Sequence, residues 1–350
     1  MPQWREVHYS NILVRATNWV GDAVMSLPAL RAIRDRYPDA SISVLARPWV
    51  ADLYARESWR SRVIPYTAGA RDWSGKWRAA TELRREKFDC AILLQNAFDA
   101  ALIAWLARIP VRIGYARDGR GWLLTTPVAA PEPGGTPAHQ RFYYLELLRR
   151  AGIASDLPPV EAIRLEGAEA AARDGRPLLR GCTVGVSPGA AYGSAKRWLP
   201  ERFAESAARL ARELGGGVAV FGSWDERGLC EQVAIGIRAS GVDALNFAGE
   251  TTLRQFIDMA AACRVYLTND SGAMHIASAL GVPTVAVFGA TDPIATGPTG
   301  PLARIVREPF SCSPCLLREC PIDHRCMAAV PSSRVVAEAL SLIARDAMSS

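Results

Sequence analysis

One stretch of the chain collects polar side chains that could bind an anion. Residues 265–289, VYLTNDSGAMHIASALGVPTVAVFG, contain Asp270, Ser271, Gly272 and His275 inside an otherwise apolar run. A predicted strand, turn, helix and strand would place them at the start of the helix, where backbone N–H groups and the dipole favour anions. The structural alternative is that Asp270 or Ser271 caps the helix and that His275 is a hydrogen-bonded core histidine. Because they converge at one strand end, a binding site is the preferred interpretation.

A second candidate is an acidic residue near the start of the chain. The loop TNWVGD joins a predicted strand at residues 11–16 to a predicted helix at 22–36, and Asp22 begins that helix. Gly21 permits a sharp turn, which would aim Asp22 back over the carboxyl end of the strand. The helix dipole alone also favours an aspartate in the first turn. The loop lacks the G-x-G-x-x-G fingerprint, so a NAD-dependent enzyme loses its usual support.

Two loops in the second half add a cation and a carboxylate. Lys196 lies in PGAAYGSAKRWLP, where small residues let backbone N–H groups approach a ligand, although the P-loop pattern is absent. Glu226 lies in GSWDE after a predicted strand, and its carboxylate could accept hydrogen bonds from a ribose diol. The structural alternatives are a solvated loop lysine and a glutamate that only begins a helix.

Basic residues in the first half indicate an anionic partner. Residues 1–155 contain 22 Lys and Arg against 14 Asp and Glu, a net charge of +8, whereas the remainder has 19 against 21, or −2. This asymmetry suggests a phosphorylated substrate or a phospholipid surface, although a solvated arginine-rich face would give the same pattern. Nucleic acid is disfavoured, because no nucleic-acid-binding motif accompanies the charge. The candidate anion contacts are Arg71, Lys76, Arg112, Arg117 and Arg120.

Alternating strand and helix patterns position these residues and predict an α/β protein with parallel sheets covered on both faces. The 350-residue chain exceeds the length of about 250–300 residues at which a single core usually stops growing, so two domains are expected. We place the first domain at residues 1–155, a linker at 156–180, the second domain at 181–330 and a C-terminal helix at 331–350.

The chain shows no targeting pattern. Its start, MPQWREVHYS, lacks the apolar core of a signal peptide, which predicts a cytoplasmic protein. The charge-free stretch at residues 271–291 is nominally long enough to span a bilayer, but His275, Gly281 and Pro283 interrupt it. Any membrane contact is therefore expected to be peripheral.

The eight cysteines fall into two groups. Half of them lie in predicted strands or helices and are expected to be buried: Cys90, Cys182, Cys230 and Cys263. The rest form C-x2-C-x4-C-x5-C: Cys312, Cys315, Cys320 and Cys326. This spacing, with His324 inside it, could hold zinc or an iron-sulfur cluster, but it is unlike common zinc ribbons. Reduced thiols that stiffen a loop are the preferred interpretation, with no metal site.

Several segments match a known family in order along the chain. They are NWVGDAVMSLPALRAIR, SPGAAYGSAKRWLPERF, FAGETTL, TNDSGAMHIASALGVPTVAVFGATDP and the terminal CSPC…CP…H.CM. Together they resemble glycosyltransferase family 9, the ADP-heptose:lipopolysaccharide heptosyltransferases, and most of all its type II members. The resemblance implies a GT-B fold, in which two facing Rossmann-like domains form the active-site cleft and the C-terminal helix packs back on the first. The first domain would bind the acceptor and the second the nucleotide sugar.

The resemblance also implies an activity and residue roles. The family moves heptose from ADP-heptose to a heptose hydroxyl of the lipopolysaccharide inner core, with inversion, and Asp22 matches its general base. The positions that match donor-binding residues are Lys196, Glu226, Thr251, Asp270, Ser271, Gly272 and His275. Among these, Lys196 would contact the phosphates, Glu226 the ribose, and a backbone group of Thr251 the adenine. The last four match the D-[ST]-G-x-x-H element that holds the nucleotide sugar.

Inversion requires a base for the acceptor hydroxyl and donors that stabilise the departing ADP. The sequence contains no Asp-x-Asp pair, so we expect no cofactor beyond the donor substrate ADP-heptose. The expected partners are this donor, an anionic lipid-linked core acceptor and, peripherally, the cytoplasmic face of the inner membrane. Two other functions stay open: a different GT-B nucleotide-sugar enzyme, such as an epimerase, and a non-catalytic nucleotide-binding module. The second of these would leave the loops at Asp22 and Lys196 unexplained.

Overall fold

The computed structural model describes residues 8–132, 134–157 and 162–349. The chain divides into two compact units, Met1–Val160 and Glu161–Ser350. Each unit is built on one parallel sheet with helices on its faces, as the alternating pattern predicts.

The first unit contains a six-stranded sheet with the strand order β3-β2-β1-β4-β5-β6. Its strands are β1 (Asn11–Arg15), β2 (Ser41–Ala46), β3 (Arg62–Pro65), β4 (Cys90–Leu93), β5 (Val111–Tyr115) and β6 (Thr126–Val128). Its helices are α1 (Val20–Arg36), α2 (Pro48–Ala55), α3 (Trp73–Arg85), α4 (Phe98–Leu106) and α5 (Gln140–Arg150).

Burial on both faces explains the central strands of this sheet. In β1, β2 and β4 almost every side chain is buried, which near-continuous apolar runs such as CAIL permit. β1 pairs with both β2 and β4, and Leu13 lies opposite Ser43 and Ala91. The chain winds outward from β1 to one side and from β4 to the other, so the carboxyl ends of these two strands form a topological switch point.

The second unit repeats this topology with the order β12-β11-β10-β7-β8-β9. Its strands are β7 (Cys182–Ser187), β8 (Gly217–Val220), β9 (Ala244–Asn246), β10 (Val265–Asn269), β11 (Thr284–Val287) and β12 (Ala303–Val306). Its helices are α6 (Ala168–Gly175), α7 (Pro200–Leu214), α8 (Arg227–Ala239), α9 (Leu253–Ala262), α10 (Gly272–Ala279), α11 (Pro293–Thr296), α12 (Arg325–Ala328) and α13 (Ser332–Ser349).

The βαβ unit predicted at residues 265–289 is present as β10, α10 and β11. All side chains of β10 are buried, and this strand pairs with β7 on one side and β11 on the other. Thr268 lies opposite Ser187 of β7 and Ala286 of β11. The switch point of this sheet therefore lies where β7 and β10 end.

The predicted linker requires a correction over residues 162–180. Its helix α6 packs against α9 inside the second unit. The backbones approach so closely that a Cβ atom on Gly175 would overlap the backbone of Asp258. This contact makes the segment part of the second core rather than a connection between domains.

The C-terminal helix α13 also requires a correction, because it was predicted to pack on the first domain. It packs against α7, β11 and β12 of the second unit. Its apolar residues Val335, Val336, Ala339 and Leu342 recur at helical spacing and are buried in the same cluster as Phe203 of α7. An apolar stripe is buried where a matching surface exists, and α7 provides one.

The edge strands β6 and β12 carry no pattern in the sequence that predicts them. Their sequences, TPV and ARIV, are too short for a periodic pattern and depend on pairing with β5 and β11. No helix among the described residues is both long enough and apolar enough to cross a membrane.

Candidate active site

Asp270 is the centre of a buried polar network in the second unit. It follows β10 directly, at the switch point, and is 5% exposed. Its Oδ2 atom accepts hydrogen bonds from Lys196 Nζ at 2.6 Å, Thr291 Oγ1 at 2.6 Å and Thr296 Oγ1 at 3.3 Å. Side chains from beyond β7 and β11 thus converge on the carboxylate that follows β10.

Lys196 is a fixed cation rather than a solvated loop lysine. It ends the short 3-10 helix Ser194–Lys196 between β7 and α7, and its side chain is 12% exposed. Its Nζ atom also lies 4.8 Å from the centroid of the Tyr192 ring. The ion pair with Asp270 holds the ammonium group at the carboxyl edge of the sheet, because separating the pair would leave a buried charge uncompensated.

The start of α10 lies next to this pair. Ser271 precedes the helix, and its hydroxyl shares a hydrogen bond with Thr268 Oγ1 at 3.0 Å instead of capping the first turn. Gly272 begins the helix, and His275 is buried one turn later. The capping role considered for Ser271 is therefore not observed. The first-turn N–H groups point toward the strand end, as helix geometry requires.

Asn269 fixes the loop that carries Lys196, a role that no motif in the sequence predicts. Its buried side chain donates from Nδ2 to the carbonyl of Pro188 at 2.7 Å and accepts at Oδ1 from the Trp198 backbone N–H at 2.9 Å. Both ends of residues 188–198 are thereby tied to β10. The only signal in the sequence was its place beside Asp270 at the strand end.

Glu226 lies where two loops meet. Its Oε2 atom accepts from the Ser223 backbone N–H at 2.9 Å and from the Ser223 hydroxyl at 3.0 Å, so the helix-start role considered for it is present. The same carboxylate lies against Gly189, where a Cβ atom would overlap it. Glu226 therefore borders the loop that carries Lys196. Thr251 lies in the turn between β9 and α9, and a backbone hydrogen bond of 3.0 Å ties this turn to the loop after β8.

In the first unit, Asp22 lies in the first turn of α1, after β1 at that unit's switch point. Tyr144 of α5 donates its hydroxyl proton to Asp22 Oδ1 at 3.0 Å. Burial, together with the Asp22 carboxylate, raises the pKa of the Tyr144 phenol well above its usual 10.0, so the phenol stays a donor at neutral pH. The two residues are 122 positions apart, so only the packing of α1 on α5 brings them together.

Two of the predicted acceptor contacts are buried and have structural roles instead. Lys76 is 2% exposed and pairs with Asp99 Oδ1 at 2.9 Å. Arg120 is fully buried, donates from Nε to the carbonyl of Tyr115 at 2.9 Å, and desolvation lowers the pKa of its guanidinium to about 10. These contacts correct the prediction, because a buried side chain occupied by protein partners is not presented to a ligand.

The other three predicted contacts differ in exposure. Arg112 is half-buried and donates from Nε to the carbonyl of Leu123 at 2.7 Å, so it joins β5 to the following turn. Arg71 and Arg117 are exposed. A hydrogen bond with Tyr143 raises the pKa of Arg117, which therefore stays charged. Only Arg71 and Arg117 keep the exposure that acceptor binding requires.

The terminal cysteines lie in residues 311–326, here called the cysteine loop. Cys326 is buried, and burial together with the thiols of Cys312, Cys315 and Cys320 raises the pKa of its thiol. All four are free thiols. Across the described part of the chain, no group of three or more His, Cys, Asp or Glu side chains is arranged to hold a metal ion. The other four cysteines are buried, as predicted.

Comparisons with known proteins identify the family. Residues 76–325 match the family described as glycosyltransferase family 9 (heptosyltransferase). Lipopolysaccharide heptosyltransferase 2 from Salmonella typhimurium is 34% identical over 312 residues, which cover 85% of this chain and 87% of that protein. The Escherichia coli protein of the same name is 33% identical over 312 residues, with coverage of 85% and 87%.

A solved structure extends the similarity to the fold. It is described as E. coli ADP-heptose lps heptosyltransferase II and has a TM-score of 0.82 at 29% identity, covering 96% of this chain and 99% of that chain. The predicted α/β class, the GT-B fold and the glycosyltransferase activity are confirmed, and the type II enzymes are favoured. Because the family match spans most of the chain and relatives above 30% identity cover 85% of it, this chain belongs to glycosyltransferase family 9, the heptosyltransferases.

Proposed function

We propose that this protein transfers heptose from ADP-heptose to a heptose hydroxyl of the lipopolysaccharide inner core, with inversion at the anomeric carbon. The observation that carries the proposal is the Lys196–Asp270 ion pair, a fixed cation beside the start of α10 at a switch point. Relatives named lipopolysaccharide heptosyltransferase 2 support the acceptor class, and the similar solved structure supports the donor.

The second unit would bind the donor. Lys196 and the backbone N–H groups at Ser271 and Gly272 suit a diphosphate, because a fixed ammonium group and a helix start both favour anions. Glu226 suits the ribose diol. Its Oε2 atom accepts the hydrogen bond from the Ser223 backbone N–H, whereas Oε1 lies against Gly189 in the loop that carries Lys196. Thr251 would offer a backbone group to adenine. In this scheme Asp270 and His275 are the first and last residues of the D-[ST]-G-x-x-H element that holds the nucleotide sugar. Asp270 also positions the ammonium group of Lys196.

Asp22 would act as the general base. It would take the proton of the acceptor hydroxyl while the hydroxyl oxygen bonds to the anomeric carbon of heptose. The bond from that carbon to the diphosphate breaks, and its electron pair leaves with ADP. Tyr144 would hold Asp22 in one orientation through the hydrogen bond to Oδ1. No step of this scheme requires a metal ion or another cofactor.

An acceptor-dependent assay of ADP release from ADP-heptose tests the function, with a heptose-bearing core oligosaccharide as acceptor. Asp22→Asn should abolish transfer while the dissociation constant for ADP stays near that of wild type.

Tyr144→Phe should lower kcat about 5- to 15-fold without changing ADP affinity. This factor corresponds to the loss of one hydrogen bond of about 1–1.5 kcal/mol. Lys196→Ala should weaken donor binding.

Three outcomes would contradict these expectations. A wild-type protein that releases no ADP in response to the acceptor would refute the transferase function. Loss of ADP binding in Asp22→Asn would assign that residue to the donor site instead of the base. Unchanged donor kinetics in Lys196→Ala would remove the lysine from the diphosphate site.

We also propose that the first unit makes the peripheral contact with an anionic membrane. Trp73, Trp77, Phe98, Trp105 and Trp122, here called the aromatic surface, lie on α3, α4 and the 3-10 helix Gly121–Leu123, and they are 37–69% exposed. The Trp122 ring centroid lies 6.4 Å from that of Phe98 and 6.3 Å from that of Trp105, and α3 packs on α4.

The segment that carries the aromatic surface is also positively charged. Residues 71–122 contain ten Lys and Arg against six Asp and Glu, a net charge of +4. Tryptophan favours the headgroup boundary, and positive charge attracts anionic lipid.

Co-sedimentation with phospholipid vesicles tests the aromatic surface. The wild-type protein should bind phosphatidylglycerol vesicles more than phosphatidylcholine vesicles, and binding should fall as salt rises. A Trp73→Ser/Trp77→Ser variant should bind several-fold less. Trp224→Ser is the matched control, because Trp224 is 70% exposed but lies in the second unit. Equal binding by all three proteins would refute this surface.

A further inference from the structure

The cysteine loop packs against both loops that surround the Lys196–Asp270 pair. The hydroxyl of Tyr192 donates to the carbonyl of Leu316 at 2.7 Å, and the Leu316 backbone N–H donates to the carbonyl of Ala290 at 2.8 Å. The ring nitrogen Nε2 of His324 lies 3.0 Å from the carbonyl oxygen of Ala195. The cysteine loop therefore joins the segment before Lys196 to the segment that carries Thr291.

Arg318 lies where the cysteine loop contacts the segment before Lys196. Its carbonyl accepts the backbone N–H of Ala195 at 2.9 Å. A Cβ atom on Gly193 would overlap the same carbonyl, so this approach requires glycine. Because the contact uses backbone atoms of Arg318, the position of the loop does not depend on the arginine side chain.

The Arg318 side chain extends to the same ring as Lys196. Its guanidinium carbon lies 5.4 Å from the centroid of the Tyr192 ring, and Lys196 Nζ lies 4.8 Å from that centroid. Arg318 is exposed, and none of the described carboxylates forms an ion pair with it. Arg325 in the same loop differs, because it pairs with Asp323 at 2.9 Å. Arg318 is thus an uncompensated cation beside a compensated one.

The charge balance of the proposed reaction gives this cation a role. The ammonium group of Lys196 is already paired with Asp270, whereas the departing diphosphate gains negative charge as its bond to the sugar breaks. We propose that Arg318 is a second cationic contact to the diphosphate of the donor. A guanidinium group can donate two parallel hydrogen bonds to phosphate oxygens, and stacking on Tyr192 preorganises it.

This inference rests on the proposed function, because it assigns Arg318 to the donor site around Lys196. It adds no covalent step. Arg318 would donate hydrogen bonds to oxygens of ADP in the bound donor, and these bonds strengthen as the electron pair moves onto the leaving oxygen. Arg318 would therefore support both donor binding and the rate of transfer.

Calorimetric titration with ADP and adenosine separates the diphosphate contact from the rest of the nucleotide site. Arg318→Ala should weaken ADP binding about tenfold and leave adenosine binding unchanged, as expected for one charge-assisted contact. Arg318→Lys should give an intermediate ADP affinity, because a point charge replaces the bidentate group. Arg325→Ala is the matched control and should bind ADP like wild type. In the transfer assay, Arg318→Ala should also lower kcat.

The outcomes separate this proposal from the function it rests on. If wild type is active but Arg318→Ala binds ADP as tightly as wild type, the Arg318 contact is refuted and the transferase function stands. If wild type shows no acceptor-dependent release of ADP, the function fails, while the ADP and adenosine titrations still test the contact. Equal weakening of ADP and adenosine in Arg318→Ala would indicate a disturbed loop and would also refute the contact.

Discussion

At the scale of single residues, Asp270 organises the candidate donor site. It is nearly fully buried, and its Oδ2 atom accepts hydrogen bonds from the ammonium group of Lys196 and the hydroxyls of Thr291 and Thr296. A buried carboxylate with these partners is held in one orientation, and it holds Lys196 in turn. The two threonines would act as positioning residues, since both donate their hydroxyl protons to Asp270.

Substitution of the two threonines should therefore have unequal effects. Thr291→Val removes a hydroxyl 2.6 Å from Asp270, and we expect a loss of about 1–3 kcal/mol in the free energy of unfolding, with a higher KM for the donor. Thr296→Val removes a bond of 3.3 Å and should have the smaller effect on both quantities. Urea unfolding and donor kinetics measure both quantities for each variant. A larger effect of Thr296→Val than of Thr291→Val would contradict the prediction.

At the scale of elements, α5 carries both the contact to the proposed base and a buried carboxylate that is paired with exposed arginines. It packs against α1 and brings Tyr144 to Asp22. Two positions later, Glu146 is buried and accepts from Arg149 Nε at 2.7 Å and Arg150 Nε at 2.5 Å. Hydrogen bonds from Arg149, and then from Arg150, hold the pKa of this carboxyl below its usual 4.5. The helix that orients the base is therefore stabilised by a titratable group.

Acid should weaken this element. Because the folded pKa of Glu146 is depressed, the carboxylate stabilises the protein above its unfolded value of 4.5, and the contribution is lost as pH falls through the lower folded pKa. Glu146→Gln should cost about 1–3 kcal/mol of unfolding free energy at neutral pH and should flatten the decline in acid. Melting temperatures from pH 7 down to pH 3 measure both effects. An unchanged acid slope in the variant would assign the decline to other groups.

The C-terminal helix provides a second test at this scale. Leu342 of α13 is fully buried in the second core, so Leu342→Ala should cost about 2–5 kcal/mol. Met348 on the same helix is 87% exposed, and Met348→Ala should change stability by less than about 0.5 kcal/mol. In hydrogen-exchange measurements, Leu342→Ala should increase the exchange rates of the backbone amides in α7 and β11. Loss of protection only within residues 8–157 would contradict this packing and would favour the predicted contact of the helix with the first domain.

At the scale of the whole molecule, the two units differ in surface chemistry. The positive charge and the aromatic surface belong to the first unit, whereas the buried donor network belongs to the second. In the proposed reaction the diphosphate is stabilised by side-chain cations and the start of α10. Protein dialysed against EDTA should therefore keep its rate of heptose transfer. A loss of activity that added Mg²⁺ or Zn²⁺ restores would contradict this scheme.

The sequence by itself determined the local chemistry and much of the fold. The apolar runs and the turn within residues 265–289 predicted β10, α10 and β11 in the right order, because short-range patterning decides such elements. Asp22 was predicted to follow a strand, and Lys196 to lie in a ligand-binding loop, and the structure places them after β1 and β7 at the switch points. The family resemblance was carried by the same motifs.

Only the tertiary structure decided which polar groups meet. Charge alone could not separate Lys76 and Arg120, which are buried with protein partners, from Arg71 and Arg117, which are exposed. Likewise, no pattern in the sequence linked Tyr144 to Asp22 or Arg318 to Lys196, since these pairs lie far apart along the chain. Hydrophobic periodicity gave α13 an apolar stripe, but it could not specify the surface that buries the stripe. Burial and long-range pairing are properties of packing, and they determined which predicted residues belong to the candidate site.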